Sequence, residues 1–446
     1  MGDCRMPVNV SLSRPPLAEI QSRLARLIGA RPGELLAAMS GFSLFLCLFT
    51  GYFMLRPLRD ALGIQGGVQY LQWLFTATFL VMLLAVPLFA WLSARVPRVR
   101  YVDWVYGLFA TNLAGFGLLF AVRPEDVWLA RTFYVWISVY NLFVVSVAWS
   151  LMADVFDAQQ AKRLFAFIAA GASVGGLFGP VLIALLVGSL GAGGLLGLAA
   201  VLLLLALGCK RYLMGWREWC GAGRPGAPPT ENSQRPIPGN PFSGFTSLLA
   251  SPYLAGIALF VVLLSTTTTL LYIEQARLVD ALFTEQASQV RVFAVIDLLV
   301  QAGALLAQLF ITGRVAKQMG VRVLLSAVPF LVCLGFLGLA MAPVFVLLAA
   351  VMVIRRVGEY AFVRPGREML FAPLDAQSKY KTKNLIDTLV YRGGDAASAW
   401  LKSGLDALGH GAMPVALAGA ACAAIWGWLG WRLGRQADDL AVVTQQ

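Results

Sequence analysis

The sequence predicts an all-α membrane protein. It has twelve transmembrane helices in two sets of six, related by a pseudo-two-fold axis, with both termini in the cytoplasm. Three observations predict this. First, the 446 residues are 59% hydrophobic and 13% charged, and the mean hydropathy is +0.74. A soluble domain carries about 25% charged residues. So little polar surface cannot wrap so much apolar mass, which excludes a soluble enzyme around one covered core. A disordered chain needs the opposite composition. Second, apolar runs long enough to cross a bilayer recur along the whole chain. Third, basic residues gather in alternate loops, and one long polar stretch divides the runs six and six.

Residues 1–35 read as a cytoplasmic arm. They carry Arg5, Arg14, Arg23 and Arg26, have no apolar signal-peptide core, and offer a short amphipathic helix from Leu17 to Ile28. The first six spans follow at 36–55, 69–93, 101–122, 127–153, 163–188 and 192–213, a bundle covering 36–213. Residues 214–250 form a cytoplasmic linker. Its sequence GAGRPGAPPTENSQRPIPGNP is rich in Gly, Pro and polar residues and cannot bury a core. The second bundle, 251–433, has spans at 251–275, 288–312, 321–341, 343–362, 384–405 and 412–433, and a cytoplasmic tail covers 434–446.

The charges sort by loop. Basic loops include 94–100, 154–163, the linker, 313–322 and 363–383; the alternate loops 123–126, 189–191, 276–287, 341–343 and 406–411 are poor in basic residues. The loop after the first span, with Arg56 and Arg59, is the exception. The net charge of +12 is therefore topology rather than nucleic-acid affinity. The expected partners are the lipid bilayer and a small anionic substrate, with no nucleic acid, and the chain is expected to be a monomer. Of 35 basic residues 28 are Arg, a usage that suggests a GC-rich bacterium and hence its inner membrane. Six scattered cysteines and the single His410 form no disulfide framework, so no metal or other cofactor is expected. They form no convergent catalytic set either, so an enzyme is not expected.

Two motifs carry the architecture further. GRVAKQMGVR, Gly313 to Arg322, resembles the loop motif of major facilitator transporters. The matching loop of the first half, WLSARVPRVR, keeps the basic residues and lacks the glycines. In the fifth span Gly171, Gly175 and Gly179 recur every fourth residue and Pro180 follows. That spacing puts them on one helix face, where another backbone can approach closely. The run GGLFGP also resembles the glycine-proline motif of facilitator antiporters. A six-plus-six plan with a cytoplasmic linker is the major facilitator plan.

Ionisable groups inside apolar spans are expensive to keep there, so each is a functional candidate. Glu274 lies in STTTTLLYIEQAR, where Thr266 to Thr269 make the span unusually polar; it faces substrate or pairs with Arg277 at the interface. Arg355, Arg356 and Glu359 fall within about one turn, and Glu359 is spaced to pair with either arginine. Asp387, Tyr391 and Asp395 fall at i, i+4 and i+8 with Arg392 beside them. Such a stripe must face protein or water, as an inter-helix charge network or in direct contact with substrate. Arg56, Arg59 and Asp60 stand against the positive-inside pattern. Paired arginines suit carboxylates and phosphates, and an Arg56–Asp60 ion pair is the structural alternative. Asp154, Lys162 and Arg163 end one span and begin the next, as an inner-gate cluster.

These stretches also resemble a known family, the nucleotide translocases (ATP/ADP antiporters) of plastids and intracellular bacteria. The longest match is EYAFVRPGREMLFAPLDAQSKYKTKNLIDTLVYRGGD, residues 359–395. LRPLRD in the first span resembles the family's Leu-Arg-Asp-Thr-Lys-Asp, so Arg59 sits where the family has a substrate-phosphate lysine. WSLMADVFDAQQAKRLF keeps the family's Ala-Lys-Arg as Ala161, Lys162 and Arg163. The family's acidic residue early in the fourth span is replaced by Ile137, with Asn141 one turn on. The resemblance implies anion exchange, of nucleotides or of another phosphorylated metabolite. The expected substrate-binding residues are Arg56, Arg59, Asn141, Glu274, Arg356, Glu359 and Arg367. The expected gating and coupling residues are Asp60, Asp154, Lys162, Arg163, Asp387, Tyr391, Arg392 and Asp395. No phosphate-binding G-x-x-x-x-G-K-[ST] loop is present, so energy is expected from a gradient or from exchange, by alternating access. A proton-coupled exporter using Glu274 is the alternative reading.

Overall fold

The computed structural model describes residues 28–31, 33–95, 98–221, 251–371, 385–407 and 411–443, with isolated positions elsewhere. Most of the predicted arm helix at 17–28, most of the linker and His410 lie outside the described residues. All regular structure within them is helical. The order is α1 Leu35–Gln65, α2 Leu71–Arg95, α3 Arg98–Val122, α4 Val127–Val155, α5 Ala158–Gly221, α6 Pro252–Leu282 and α7 Gln286–Ala307. Then come α8 Gly313–Met341, α9 Phe345–Gly358, α10 Arg364–Leu370, α11 Tyr391–Ala407 and α12 Ala412–Val443. Wide π turns at Gln308–Thr312 and Glu359–Val363 join α7 to α8 and α9 to α10, and a third, Ile386–Val390, leads into α11.

Eight stretches among the described residues are long and apolar enough to cross a membrane. Two are far longer than the roughly 20 residues one crossing needs: 159–219 has 61 residues and 286–341 has 56. Each is interrupted where a glycine takes a left-handed backbone, Gly191 at φ 60 and Gly320 at φ 77. A Cβ would clash in that conformation, so glycine is what allows the break. Asp438 of α12 accepts from the amides of Val321 (3.0 Å) and Arg322 (3.4 Å), capping the helix that restarts after Gly320.

The helices run through several segments that hydropathy reads as loops. Arg56, Arg59 and Asp60 are helical residues of α1, which continues to Gln65. Most of 154–163 is helical as well, whereas the predicted loop at 189–191 contains the break at Gly191. Polar residues end a membrane helix only where they lack partners in the protein. At the start of α5 the cap is local: Asp157 accepts from the amides of Gln159 and Gln160, and Gln160 Oε1 accepts from the Asp157 amide. Two orphan amide ends are satisfied reciprocally, so no extended loop is needed.

The chain gathers into two compact units. Unit one comprises Met1–Leu58, Pro87–Leu129 and Ile137–Arg235. Within it, α5 lays Gly171, Gly175 and Gly179 directly on the backbone of α1. A Cβ at Gly175 would fall 2.7 Å from the Leu46 oxygen and 2.8 Å from the Thr50 nitrogen; one at Gly179 would fall 2.7 Å from the Thr50 oxygen. At the start of α1, Glu34 accepts from both terminal nitrogens of Arg163 at 3.1 Å and from Gln160 Nε2 at 3.1 Å. Trp216, near the end of α5, donates to the Gly33 carbonyl at 3.0 Å. Unit one also holds the ion pair of buried Lys210 with Asp103, at 2.9 Å.

Unit two comprises Arg59–Val86, Ala130–Trp136 and Pro236–Gln446. Its apolar core joins α6, α8, α9 and α12 around Phe260, Leu325, Phe336, Met352 and Trp426. Here too glycines bring helices together, with Gly430 and Gly434 of α12 against the backbone of α8 at Leu325 and Arg322.

Two tests follow from unit one. Gly175→Leu forces a side chain into backbone that cannot move aside. It should lower stability by at least the roughly 1–3 kcal/mol typical of overpacking, read as a lower unfolding temperature in detergent. Gly107→Ala, where a Cβ meets nothing within 4 Å, should stay within about 0.5 kcal/mol of the parent. The second test uses pH. Burial alone would raise the Glu34 carboxyl, but the hydrogen bonds from Arg163, the Arg31 amide and Gln160 outweigh it and hold the group below its ordinary value. The stabilisation is then full above the unfolded-state value of about 4.3 and is lost as pH falls through the folded value. The unfolding temperatures of the parent and of Glu34→Gln should therefore differ at neutral pH and converge below that range. A gap that stays constant down to acid pH refutes the assignment.

Candidate functional site

The polar run of α6 organises a cluster inside unit two. Ser and Thr hydroxyls in a helix can bond back to the preceding turn, and Thr266, Thr267 and Thr268 do so, to Val262, Leu263 and Leu264 at 2.7–3.0 Å. The same run also bonds outward. Asp395 Oδ1 lies 2.7 Å from Ser265 Oγ and 3.0 Å from Thr269 Oγ1. Ser398 donates to Thr266 at 2.9 Å, and Arg355 Nη1 donates to Thr268 at 2.8 Å. Gly394 permits this approach of α11, since a Cβ there would lie 2.9 Å from Ser265 Oγ.

Glu359 is shared by two arginines. Arg355 Nη1 donates to Oε2 at 2.9 Å, and Arg364 reaches Oε1 at 3.2 Å through Nη2. The two differ in exposure, 3% for the Arg355 side chain and 57% for Arg364. The Arg364 guanidinium also stacks 4.5 Å over the Tyr360 ring. Arg392 stands 3.6 Å from Asp395 Oδ2 and lies over Tyr391 at 5.9 Å. Tyr391 belongs to the same group, with Arg392 over its ring and its carbonyl oxygen 3.0 Å from Ser265 Oγ. Three arginines thus meet two carboxylates and two tyrosines.

Arg356 does not join them. It pairs with Asp297 of α7 at 2.5 Å, both side chains being buried, so of the two spacings open to Glu359 only the i+4 pair with Arg355 forms. Arg367 lies 2.9 Å from Asp387, with Lys383 and Glu368 paired beside them at 2.5 Å. Glu274 is half-buried and ion-paired with Arg277 at the end of α6. Next to it is an apolar pocket lined by Leu270, Leu278, Phe336, Leu339 and Val415.

A second cluster in unit two contains Arg59 and Asp60. Arg59 Nη2 donates to Tyr134 Oη at 2.9 Å, Tyr134 donates to Tyr272 Oη at 3.3 Å, and Tyr272 donates to Asp60 Oδ1 at 3.0 Å. Arg59 Nε, 3.6 Å from the same Asp60 oxygen, closes the ring. The guanidinium also lies 4.3 Å over the Tyr134 ring, and Phe75 meets Tyr272 edge-on. The ring ties the end of α1 to α4 and α6.

The remaining expected residues lie in unit one. Arg56, Asn141 and Asp154 are half-buried on α1 and α4, Lys162 is exposed on α5, and Arg163 holds Glu34. Gly171, Gly175 and Gly179 are buried in the contact with α1, and Pro180 is buried next to Gly179 in the chain. Sequence reasoning missed Asp297, Tyr134, Tyr272 and Glu34. The lone carboxylate of VFAVIDLLVQ was a readable signal for Asp297. The two tyrosines carried none, because an aromatic in a membrane helix is ordinarily packing.

Three solved structures of similar fold share 13–15% of their sequence with this chain. A bacterial homologue of the iron transporter ferroportin, in an inward-facing state, superposes with TM-score 0.63 at 14% identity, covering 90% of this chain and 98% of that one. The nucleoside transporter NupG gives 0.58 at 13% identity, covering 90% and 99%. A bacterial homologue of the human lysosomal transporter Spinster gives 0.54 at 15% identity, covering 92% and 99%. No curated protein sequence matches the chain. The family description that does match is Major Facilitator Superfamily, over residues 37–365. That range is well over half of the chain and includes Arg59, the α6 hydroxyl run and the Arg355–Glu359–Arg364 group, so the chain belongs to the Major Facilitator Superfamily and is a membrane transporter of that type.

Proposed function

We propose that this transporter exchanges an organic anion, a nucleotide or another phosphorylated metabolite, across a bacterial inner membrane by alternating access. The observation that carries the reading is the α6–α9–α11 cluster. Three arginines, Arg355, Arg364 and Arg392, face only two carboxylates, Glu359 and Asp395. An unbalanced cation in a low-dielectric site needs an anion. Arg364 is built to take one: its guanidinium fork is exposed, braced on Tyr360, and held by a carboxylate that keeps Arg355 when Arg364 lets go. Fork geometry and ring stacking suit a phosphate attached to a planar group. The resemblance of residues 359–395 to nucleotide translocases points the same way. In this reading Arg59, Asp60, Tyr134 and Tyr272 form a gate that opens when the Arg59–Tyr134 and Tyr272–Asp60 bonds break.

The same reading assigns twelve crossings in two sets of six, with cytoplasmic termini and a monomer as the working unit. Each stretch interrupted at Gly191 and Gly320 then counts as two crossings, and the helices around 345–370 and 386–407 supply the rest.

Exchange of labelled ADP and of a panel of phosphate esters by preloaded proteoliposomes tests this function. Arg364→Ala removes a charge-assisted fork worth about 1.5–3 kcal/mol, so exchange at low substrate should fall about 10–100-fold. Arg364→Lys should recover only part of it. Arg356→Ala should instead lower the folded yield, because Asp297 would be left buried without its arginine, at about 3–5 kcal/mol. Absence of exchange for every anion tested, with the parent folded, defeats the reading.

A further inference from the structure

Asp395 is the most enclosed carboxylate of the cluster, 5% exposed, and its surroundings do not add up if it is ionised. Ser265 Oγ lies 2.7 Å from Asp395 Oδ1 and 3.0 Å from the Tyr391 carbonyl oxygen. A hydroxyl has one hydrogen to give. With an ionised carboxylate both neighbours of Ser265 are acceptors, and one of the two contacts is left without a hydrogen. A proton on Oδ1 resolves this. The carboxyl donates to Ser265 Oγ, Ser265 donates to the Tyr391 carbonyl, and Thr269, at 3.0 Å, donates to the remaining lone pair of Oδ1. The cation nearest Oδ2 fits the same state: Arg392 Nη1 stays at 3.6 Å, beyond a hydrogen bond.

We propose that Asp395 is a proton-binding site, and that its protonation releases Arg392 for the transported anion. The proposal rests on the anion reading above and adds the coupling ion. The proton arrives from water on one side, resides on Oδ1 while the anion occupies Arg392, and leaves to water on the other side, with no bond to carbon changed. When Asp395 is ionised it reclaims Arg392, so proton and anion favour one another and travel together.

The groups around the carboxyl are few. From its own helix it faces Arg392, with Tyr391 beside that arginine; from the π turn it faces Glu359, which holds Arg355 and Arg364. The α6 run Ser265 to Thr269 offers hydroxyls only, with Tyr272 and Glu274 further along. From α2, Phe79 covers Gly393, and residues 71–86 contain no ionisable side chain. Arg392 is therefore the cation facing Oδ2 that protonation of Asp395 would release.

The test needs no substrate. Infrared difference spectra of the purified full chain in lipid nanodiscs, recorded across pH, report the stretch of a protonated carboxyl. The parent should show this band near neutral pH, and Asp395→Asn should lose it while keeping its helical signal. Arg392→Ala removes the facing cation, so the band should persist to a pH higher by about one to three units. Spectra identical in the parent and Asp395→Asn overturn the proposal, as does a band that responds to sodium rather than to pH, or one unmoved in Arg392→Ala. Loss of anion exchange in proteoliposomes would defeat the transport reading and leave these spectra unchanged, so the two failures are distinguishable.

Discussion

A hydrocarbon interior offers no water to a polar group, so every charge and hydroxyl in a spanning helix must find its partner in protein. The rest of this structure depends on that constraint. It explains why so sparse a set of charges is so highly paired: Arg356 with Asp297, Arg355 with Glu359, Lys210 with Asp103, Lys402 with Asp406. It also explains the α6 hydroxyl run. Thr266, Thr267 and Thr268 bond back to the preceding turn, which makes a polar stretch tolerable in a membrane helix. Four of the hydroxyls bond across to α9 or α11: Ser265 and Thr269 meet Asp395, Thr266 accepts from Ser398, and Thr268 accepts from Arg355.

Those contacts need short distances, and short distances need small residues. Gly394 brings α11 to within reach of Ser265, much as Gly175 and Gly179 bring α5 onto the backbone of α1 in unit one. Without a hydrophobic drive between helices in lipid, packing of this kind supplies much of the association. Glycine in these helices thus has two separate uses. At Gly175 and Gly394 it removes bulk, and at Gly191 and Gly320 it permits a left-handed backbone that breaks a long helix.

The helices fall on the apolar runs, because hydropathy and length report the bilayer constraint directly. The run at 251–275, for example, falls on α6, Pro252–Leu282, with Ser251 as its N-cap. Where the reading stopped short, it treated charge as an end signal. Arg59 and Asp60 stay helical because Tyr134 and Tyr272 satisfy them from elsewhere in the chain, and no local pattern encodes such a partner. The cluster residues Glu359, Tyr391, Arg392 and Asp395 were readable as costly charges in apolar surroundings. Their pairing was not. Arg355 and Arg356 are adjacent and both suitably spaced for Glu359, yet one turns to Glu359 and the other to Asp297, a choice set by the helix that packs on each face. Spacing along one helix identifies what could pair, and tertiary packing decides what does.

That division separates structural arginines from available ones. Arg356 is enclosed with a single carboxylate, and moving it would strand a buried charge. Arg355 is equally enclosed but shares Glu359, so it anchors the carboxylate. Arg364 holds the other oxygen of the same carboxylate from a position more than half exposed. On the proposed anion reading, an incoming anion would displace Glu359 from Arg364 without exposing an unpaired buried charge, because Arg355 still neutralises it. In the proposed proton site Asp395 and Arg392 repeat this arrangement with a proton in place of the second arginine: the proton neutralises the carboxyl, Ser265 and Thr269 hold it by hydrogen bonds, and Arg392 is released. In both pairs the carboxylate has an alternative way to remain satisfied. A cation can be lent to a substrate inside a membrane only where its partner has one.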